Sequence, residues 1–337
     1  MIPRLRYRPA ASKGEGGHPA EGFGRRGLPA VFALILYLNA GIFLHAQARL
    51  ITLPENPLPG EPVTLGLVSP RTGNFRAVLL NSRGRRLTEA VFFDLGLRNK
   101  EGLAVKAAIL AVPSTAASGS ALVRVEEAGT GAAGIAEIAL AIGSRQFVSE
   151  EISLDEDNTD LRTRPDPQKT AESEALWRII SRTGTEIFAA GPFVPPVAST
   201  RRTGFFGDRR IFRYVDGSAE TSIHAGVDYG VPRGTPVTAC APGRVVLARS
   251  RIVTGHSVVI EHLPGLYSLY YHLDKIKVSE GAMVDAGAPL GESGSTGLST
   301  GPHLHWEIRI AGENADPDVL TARPVLDKAL ILSKLDE

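Results

Sequence analysis

Six of the eight histidines in the chain lie between residues 220 and 310. His224 precedes Asp228 by four positions, and His303 is separated from His305 by a single residue. Imidazole nitrogens and carboxylate oxygens bind divalent metals, and a histidine that titrates near neutrality also transfers protons. These residue types at these spacings predict a metal site with acid–base chemistry in the carboxy-terminal third of the chain.

The segment that carries His224 and Asp228 is predicted to be extended. Gly226, Gly230 and Pro232 lie within or just after it, and these residue types disfavour a helix. In an extended chain, residues separated by an even number of positions share one face. The two side chains can therefore converge on one ligand, although such a pair is common by chance.

Residues 303–310 alternate between polar and apolar side chains, which predicts a strand with His303, His305 and Glu307 on one face. Two imidazoles on one face of a half-buried strand are costly unless they have a partner, and a metal is a frequent partner. Two structural histidines with other hydrogen-bond partners are the alternative interpretation.

Catalytic zinc takes three protein ligands and leaves a fourth position open. His224, Asp228 and one member of the His303/His305 pair supply three ligands, and the other histidine then lies beside the metal. The chain contains no His-Glu-x-x-His sequence, so no glutamate is indicated as the general base. A histidine that does not bind the metal fits that role, and His272 is a further candidate.

The carboxy-terminal part resembles the lysostaphin-type (LytM-like) zinc metalloendopeptidases, which cut peptidoglycan peptides. The order and spacing of the motifs agree over about 110 residues, a third of the chain. The matching stretches are residues 224–229 (HAGVDY), 234–237 (GTPV), 243–246 (GRVV), 271–273 (YHL), 291–297 (GESGSTG) and 299–307 (STGPHLHWE).

The resemblance implies a role for each site residue. His224, Asp228 and His305 match the ligands of one zinc ion, whereas His272 and His303 match catalytic histidines that do not bind it. The implied fold is an antiparallel β-sheet platform with a groove. The implied activity is hydrolysis of amide bonds in peptidoglycan stem peptides or cross-bridges during cell-wall remodelling. The alternative is a non-catalytic cell-wall or protein-binding regulator of another peptidoglycan hydrolase.

Two further residues near the motifs have open roles. Glu307 is expected either to orient an imidazole or to form a surface ion pair with Arg309. Related enzymes often carry a tyrosine shortly before the His224 motif. Here the nearest tyrosine before it is Tyr214, ten positions away. A contribution of Tyr214 to the site is therefore an open question.

The amino terminus is typical of an export signal. Six basic side chains precede an uncharged stretch of about 17 residues (28–44), which ends near an A-x-A sequence at residues 46–48. Residues 1–48 are therefore predicted to be a cleaved signal peptide, or else an uncleaved signal-anchor that provides the chain's membrane contact. Either form predicts an exported protein of the periplasm or cell envelope.

The remaining chain is predicted to be mainly β, in two domains. Short apolar runs between turn signals predict an accessory domain resembling a β-sandwich at residues 49–148, which could dock a regulatory protein. Residues 149–200 are predicted to be a linker, solvated through its acidic run at 154–160, with one short helix from Ala171 to Arg182 and Thr170 as its N-cap. The peptidase domain is predicted at residues 201–330.

Composition excludes a wholly disordered, collagen-like or coiled-coil chain. Hydrophobic residues are 43% and charged residues 22% of the chain, close to globular averages. The formal net charge of +1 provides no bulk attraction for nucleic acid. One cysteine excludes an internal disulfide framework and a zinc site built of cysteines.

Overall fold

The computed structural model describes residues 48–129 and 134–337. Within them, most residues in regular structure belong to strands that pair antiparallel, so the predicted mainly β fold is confirmed. The signal sequence predicted for residues 1–48 lies outside the described residues, apart from Ala48. No helix in the described part of the chain is long and apolar enough to cross a membrane.

Eight strands form the amino-terminal part of the described chain. They are β1 (Arg49–Leu53), β2 (Pro62–Val68), β3 (Phe75–Asn81), β4 (Arg86–Val91), β5 (Phe93–Arg98), β6 (Ala104–Ala111), β7 (Gly119–Glu127) and β8 (Ala136–Ile142). One sheet has the order β1-β2-β6-β5 and the other β4-β3-β7-β8. Leu65, Leu110, Leu79 and Val123 from both sheets share one buried apolar cluster. This is the predicted β-sandwich, in which two sheets bury their alternating apolar faces against each other.

The segment between the sandwich and the large carboxy-terminal sheet contains regular structure. It contains β9 (Ser149–Ser153), α1 (Glu156–Thr163) and α2 (Pro167–Ile180). The next two strands are β10 (Arg202–Gly204) and β11 (Arg209–Arg213). Strand β9 pairs parallel with β11, and β11 pairs with β12 (Ala219–Ile223) in a three-stranded sheet.

The acidic side chains at 154–160 are largely exposed, as predicted, but the segment begins helix α1 instead of an irregular linker. The side chain of Asp155 accepts a hydrogen bond from the backbone N–H of Asn158 and so caps the helix. Glu156 and Asp157 lie in the first turn, where acidic side chains interact favourably with the helix dipole.

The predicted single helix also begins earlier than expected. Asp166, rather than Thr170, is the N-cap of α2 and accepts a hydrogen bond from the backbone N–H of Gln168. Pro167 follows at the first helical position, where its missing N–H costs nothing and its fixed φ suits the helix.

The carboxy-terminal part is built on a large antiparallel sheet. Its elements are β13 (Gly226–Tyr229), β14 (Pro236–Thr238), β15 (Gly243–Arg251), β16 (Gly255–Leu263), β17 (Leu266–Ile276), β18 (Met283–Val284), β19 (Pro289–Ser293), β20 (Leu304–Ile310), β21 (Glu313–Ala315), α3 (Pro317–Ala322) and α4 (Lys328–Asp336). The main strand order is β10-β13-β20-β17-β16-β15-β18. Trp306, Tyr270 and Ile260 are fully buried in its core.

The sandwich and the large carboxy-terminal sheet share apolar packing. Every residue of β2 is buried, which shows that its sheet is covered on both faces. The second face belongs to a cluster that contains Ile109 of β6, Ile308 of β20 and both Ile331 and Leu335 of α4. The last helix therefore packs against the first sheet and joins the two ends of the described chain.

We predict that Ile331→Ala lowers the free energy of unfolding by about 3 kcal/mol, because it removes a fully buried side chain from tight packing. Leu330→Ala is the matched control on the same helix, since Leu330 is exposed, and we expect a loss below about 1 kcal/mol. Urea titration of both variants measures the difference. Equal losses would show that α4 is not docked through Ile331.

Candidate functional site

Two paired strands bring the predicted metal ligands together. In the antiparallel pair β13 and β20, Asp228 lies directly opposite His305. His224 lies two residues before β13. A ligand atom from each of the three side chains lies within 4.8 Å of the others, and all three side chains are buried. Sequence spacing alone had not shown that these strands pair.

The nearest atoms of the three side chains are two ring nitrogens and one carboxylate oxygen. Asp228 Oδ1 is 2.8 Å from His305 Nδ1 and 3.1 Å from His224 Nε2, and the two nitrogens are 3.1 Å apart. The other nitrogen of His224, Nδ1, donates a hydrogen bond to the backbone carbonyl of Phe205 at 2.8 Å. That bond fixes the tautomer and leaves Nε2 as an acceptor, as a metal ligand requires.

Electrostatics within the group favour an ionised carboxylate. Burial alone would raise the pKa of Asp228, but its close contacts with the His224 and His305 rings hold it well below its usual range. Burial lowers the pKa of His224 against the opposing effect of Asp228. For His305, the effect of burial is outweighed by Asp228 and Glu307, which raise the pKa to about 9. An anion between two imidazoles is a donor set that suits zinc.

His272 and His303 lie beside this group, with ring centroids 4.7 Å apart. Nδ1 of His272 donates to the Thr296 carbonyl and Nδ1 of His303 to the Gly301 carbonyl, each at 2.8 Å. Both rings therefore present Nε2 as a free acceptor. Burial lowers the pKa of His303 and lowers that of His272 to about 3, so both are neutral proton acceptors at pH 7.

The backbone around His272 is unusual. Its φ of 61° lies in the left-handed region, which a residue with a side chain adopts at some cost. Gly294 faces this residue, and a Cβ there would lie 2.9 Å from the His272 carbonyl oxygen and 2.6 Å from the Asp274 nitrogen. Gly294 also pairs with His303 in an isolated bridge. A glycine at this position lets the two histidine segments approach each other.

Glu307 combines the two roles that the sequence left open. Its carboxylate lies 3.5 Å from His305 Nε2 and also forms an ion pair with Arg309. Glu307 is only 2% exposed, so the ion pair is not at the surface. The Tyr271 ring stacks on the His305 ring, with the centroids 5.5 Å apart and the planes nearly parallel. Both contacts restrict the orientation of the His305 ring.

Tyr214 does not face the metal-ligand group. Its hydroxyl accepts a hydrogen bond from Arg162 Nε at 3.0 Å and donates one to Glu220 at 2.7 Å. It is absent from the residues that line the cleft.

The five histidine and aspartate side chains lie on the floor of a cleft of about 480 Å³. Its second wall comes from the three-stranded sheet and α1, including Glu150, Ile152, Arg162, Arg210 and Phe212. These residues carry no sequence signal for a site. Arg210 lies in β11, and no local pattern indicates that β9 pairs with this strand.

His262 is a buried histidine outside the cleft. It is 0% exposed, with Nδ1 2.7 Å from the Pro242 carbonyl and Nε2 2.7 Å from Ser268 Oγ. Burial lowers its pKa to about 4.

Residues 222–317 match the model of Peptidase family M23. These residues therefore belong to a Peptidase family M23 domain, and the family resemblance predicted from the motifs is confirmed.

Two curated relatives match this region. The chain is 43% identical over 108 residues to the DD-carboxypeptidase/endopeptidase Mpg of Neisseria meningitidis, which covers 32% of this chain and 25% of that protein. It is 31% identical over 170 residues to the peptidoglycan DD-endopeptidase ShyA of Vibrio cholerae, covering 50% of this chain and 39% of that protein. The matched region thus spans well under half of either relative.

A solved structure extends the likeness beyond the family match. An M23-type protein from Pseudomonas aeruginosa superposes with a TM-score of 0.53 at 24% identity, covering 79% of this chain and 94% of that one. At this identity the likeness concerns the fold alone.

The buried ring of His262 predicts a pH dependence of stability. Its folded pKa of about 4 lies below the ordinary histidine value near 6.5, so the unfolded state takes up the proton first. The stabilisation is present above about pH 6.5 and decreases by roughly 3 kcal/mol as the pH falls to about 4. We expect His262→Gln to remove this part of the slope.

The measurement is urea unfolding from pH 4 to 7 with zinc chelated, for the wild type and the variant in parallel. Groups that titrate equally in both proteins cancel in the difference between the two curves. A difference that stays constant with pH would contradict the assignment.

Proposed function

We propose that this protein is an exported zinc endopeptidase that hydrolyses amide bonds in peptidoglycan stem peptides or cross-bridges. The observation that carries the proposal is the convergence of His224, Asp228 and His305 beside two neutral histidines on the floor of an open cleft. The M23 domain and the DD-endopeptidase names of its relatives support peptidoglycan as the substrate. The endopeptidase relatives favour, as the bond that is cut, the amide of a cross-link between two peptides.

His224, Asp228 and His305 are proposed to hold one zinc ion. Their two nitrogens, one oxygen and partnered outer atoms fit a three-residue catalytic site. When bound, zinc supplies Lewis-acid polarisation of the scissile carbonyl.

The proton transfers are proposed for His272 and His303. Each ring is held by a backbone carbonyl at Nδ1, which leaves Nε2 unprotonated and able to accept a proton. One ring accepts the proton of the attacking water and, once protonated, donates it to the departing amine. The second ring, whose centroid lies 4.7 Å from that of the first, takes up a proton from solvent at Nε2 and then donates a hydrogen bond to the carbonyl oxygen of the tetrahedral intermediate.

The location and partners belong to the same proposal. The export signal predicted at residues 1–48 and the cell-wall relatives favour the periplasm or cell envelope. The sandwich is proposed to provide a surface for a regulatory protein, since the cleft draws none of its lining residues from β1–β8.

Purified sacculi provide the direct test of the activity. We expect the protein to release peptide-linked muropeptides, to lose this activity with a zinc chelator, and to regain it when zinc is restored. Mass analysis of the products identifies the bond that is cut. A wild-type protein that binds sacculi but releases nothing would instead support the non-catalytic regulator.

Single substitutions separate metal binding from proton transfer. We expect His303→Ala and His272→Ala each to lower the rate about 100-fold or more while zinc still binds, because a general acid–base residue is removed. His305→Ala is expected to abolish both zinc binding and turnover. Zinc content and muropeptide release are measured on the same samples. Wild-type rates in all three variants would overturn the enzyme assignment.

A further inference from the structure

The carboxylate of Asp228 divides its two oxygens between different partners. Oδ1 faces His224 and His305, at 3.1 and 2.8 Å. Oδ2 accepts a hydrogen bond from Arg210 Nη2 at 2.7 Å. The guanidinium thus occupies the oxygen that points away from the two histidines.

Arg210 is itself held from a second side. Its Nε donates to Glu150 Oε1 at 2.6 Å, and the two residues lie directly opposite each other in the parallel pair of β9 and β11. The Arg210 side chain is only 15% exposed. Because Nε and Nη2 of this largely buried side chain are both hydrogen-bonded, the guanidinium has little freedom to move and keeps the Asp228 carboxylate in place.

The neighbouring backbone leaves space for this arrangement. Gly204 of β10 pairs with Asp228, and a Cβ at this glycine would lie 2.2 Å from Arg210 Nη2 and 2.7 Å from Asp228 Oδ2. Any side chain at position 204 would therefore displace the contact between the guanidinium and the carboxylate.

The charges act in two opposing ways. A guanidinium next to a ligand carboxylate repels a metal cation, while its hydrogen bond fixes the geometry of the ligand. Glu150 lies against Arg210 and offsets its positive charge, so that the positioning effect remains. The triad of carboxylate, guanidinium and carboxylate carries one net negative charge next to the histidines.

We infer that Arg210 is a positioning residue that holds Asp228 with one oxygen directed at the metal, and that Glu150 completes this support from strand β9. The inference rests on the proposed function only in taking His224, Asp228 and His305 as the zinc ligands. Both supporting residues lie outside the stretch 222–317 that matches the family model. The metal site thereby extends to the strand that follows the sandwich.

Zinc affinity of the purified full chain, measured by competition with a chromophoric chelator, tests the inference. We expect Arg210→Met to weaken zinc binding by about 10- to 100-fold, the usual effect of losing a partner of a metal ligand. Arg210→Lys retains the charge without the fork and should give an intermediate loss. Glu150→Gln should weaken binding several-fold, because the guanidinium charge is no longer offset.

The chain offers a matched control on the outer side of the same two strands. Arg213 forms an ion pair with Glu151 at 2.8 Å, with both side chains about half exposed. Arg213→Met removes an equivalent pair from β11 and β9 and should leave zinc affinity unchanged. Glu150→Gln in the Arg210→Met background should add no further loss, since its partner is absent.

A spectroscopic readout distinguishes positioning from general loosening of the fold. With Co²⁺ in place of zinc, Arg210→Met should shift the visible absorption bands, whereas Arg213→Met should leave them unchanged. Zinc affinity of Arg210→Met within twofold of the wild type, or tighter than it, would overturn the inference. If Arg210→Met does not fold, unchanged affinity in Glu150→Gln overturns it instead.

The outcomes also separate this inference from the proposed function. Wild-type protein that binds zinc tightly but leaves sacculi intact would refute the endopeptidase activity without affecting the role of Arg210. Active wild-type protein with unaltered zinc affinity in the variants would refute the role of Arg210 and leave the activity standing.

Discussion

The antiparallel register of β13 and β20 is the constraint on which the cleft depends. It places Asp228 opposite His305 in the interior of the sheet, where an ionised carboxylate without partners would cost several kcal/mol. Hydrogen bonds from His305 and from Arg210 compensate that cost. Because side chains alternate along a strand, a shift of one residue would turn the ligands to opposite faces of the sheet.

Local sequence patterns were sufficient to identify the floor of the cleft. The alternation from His303 to Ile310 predicted a strand, and β20 is that strand, although it is buried on both faces rather than one. The glycines around Asp228 predicted extended backbone, which β13 provides. The apolar run at 62–68 coincides with β2 of the sandwich. These predictions succeeded because each depends on neighbours within a few residues.

The wall of the cleft could not be predicted in the same way. The contact between Arg210 and Glu150 joins residues 60 positions apart through a parallel strand pair, and parallel pairing leaves no turn signal between its strands. The acidic run at 154–160 predicts a solvated linker, because charged side chains favour solvent. The same charges suit the first turn of a helix, and the Asp155 cap decided between the two. The pairing of β9 with β11 and the cap at Asp155 therefore determine structure that composition alone leaves ambiguous.

Helix α4 packs against the sheet that begins with β1, so segments from opposite ends of the described residues are in contact. During synthesis, the apolar side of that sheet stays exposed until α4 has been made. A premature stop codon at position 328 would remove Ile331 and Leu335 together with the rest of that helix. It would leave all five histidine and aspartate side chains of the cleft encoded and still expose the interior of the sandwich sheet to water.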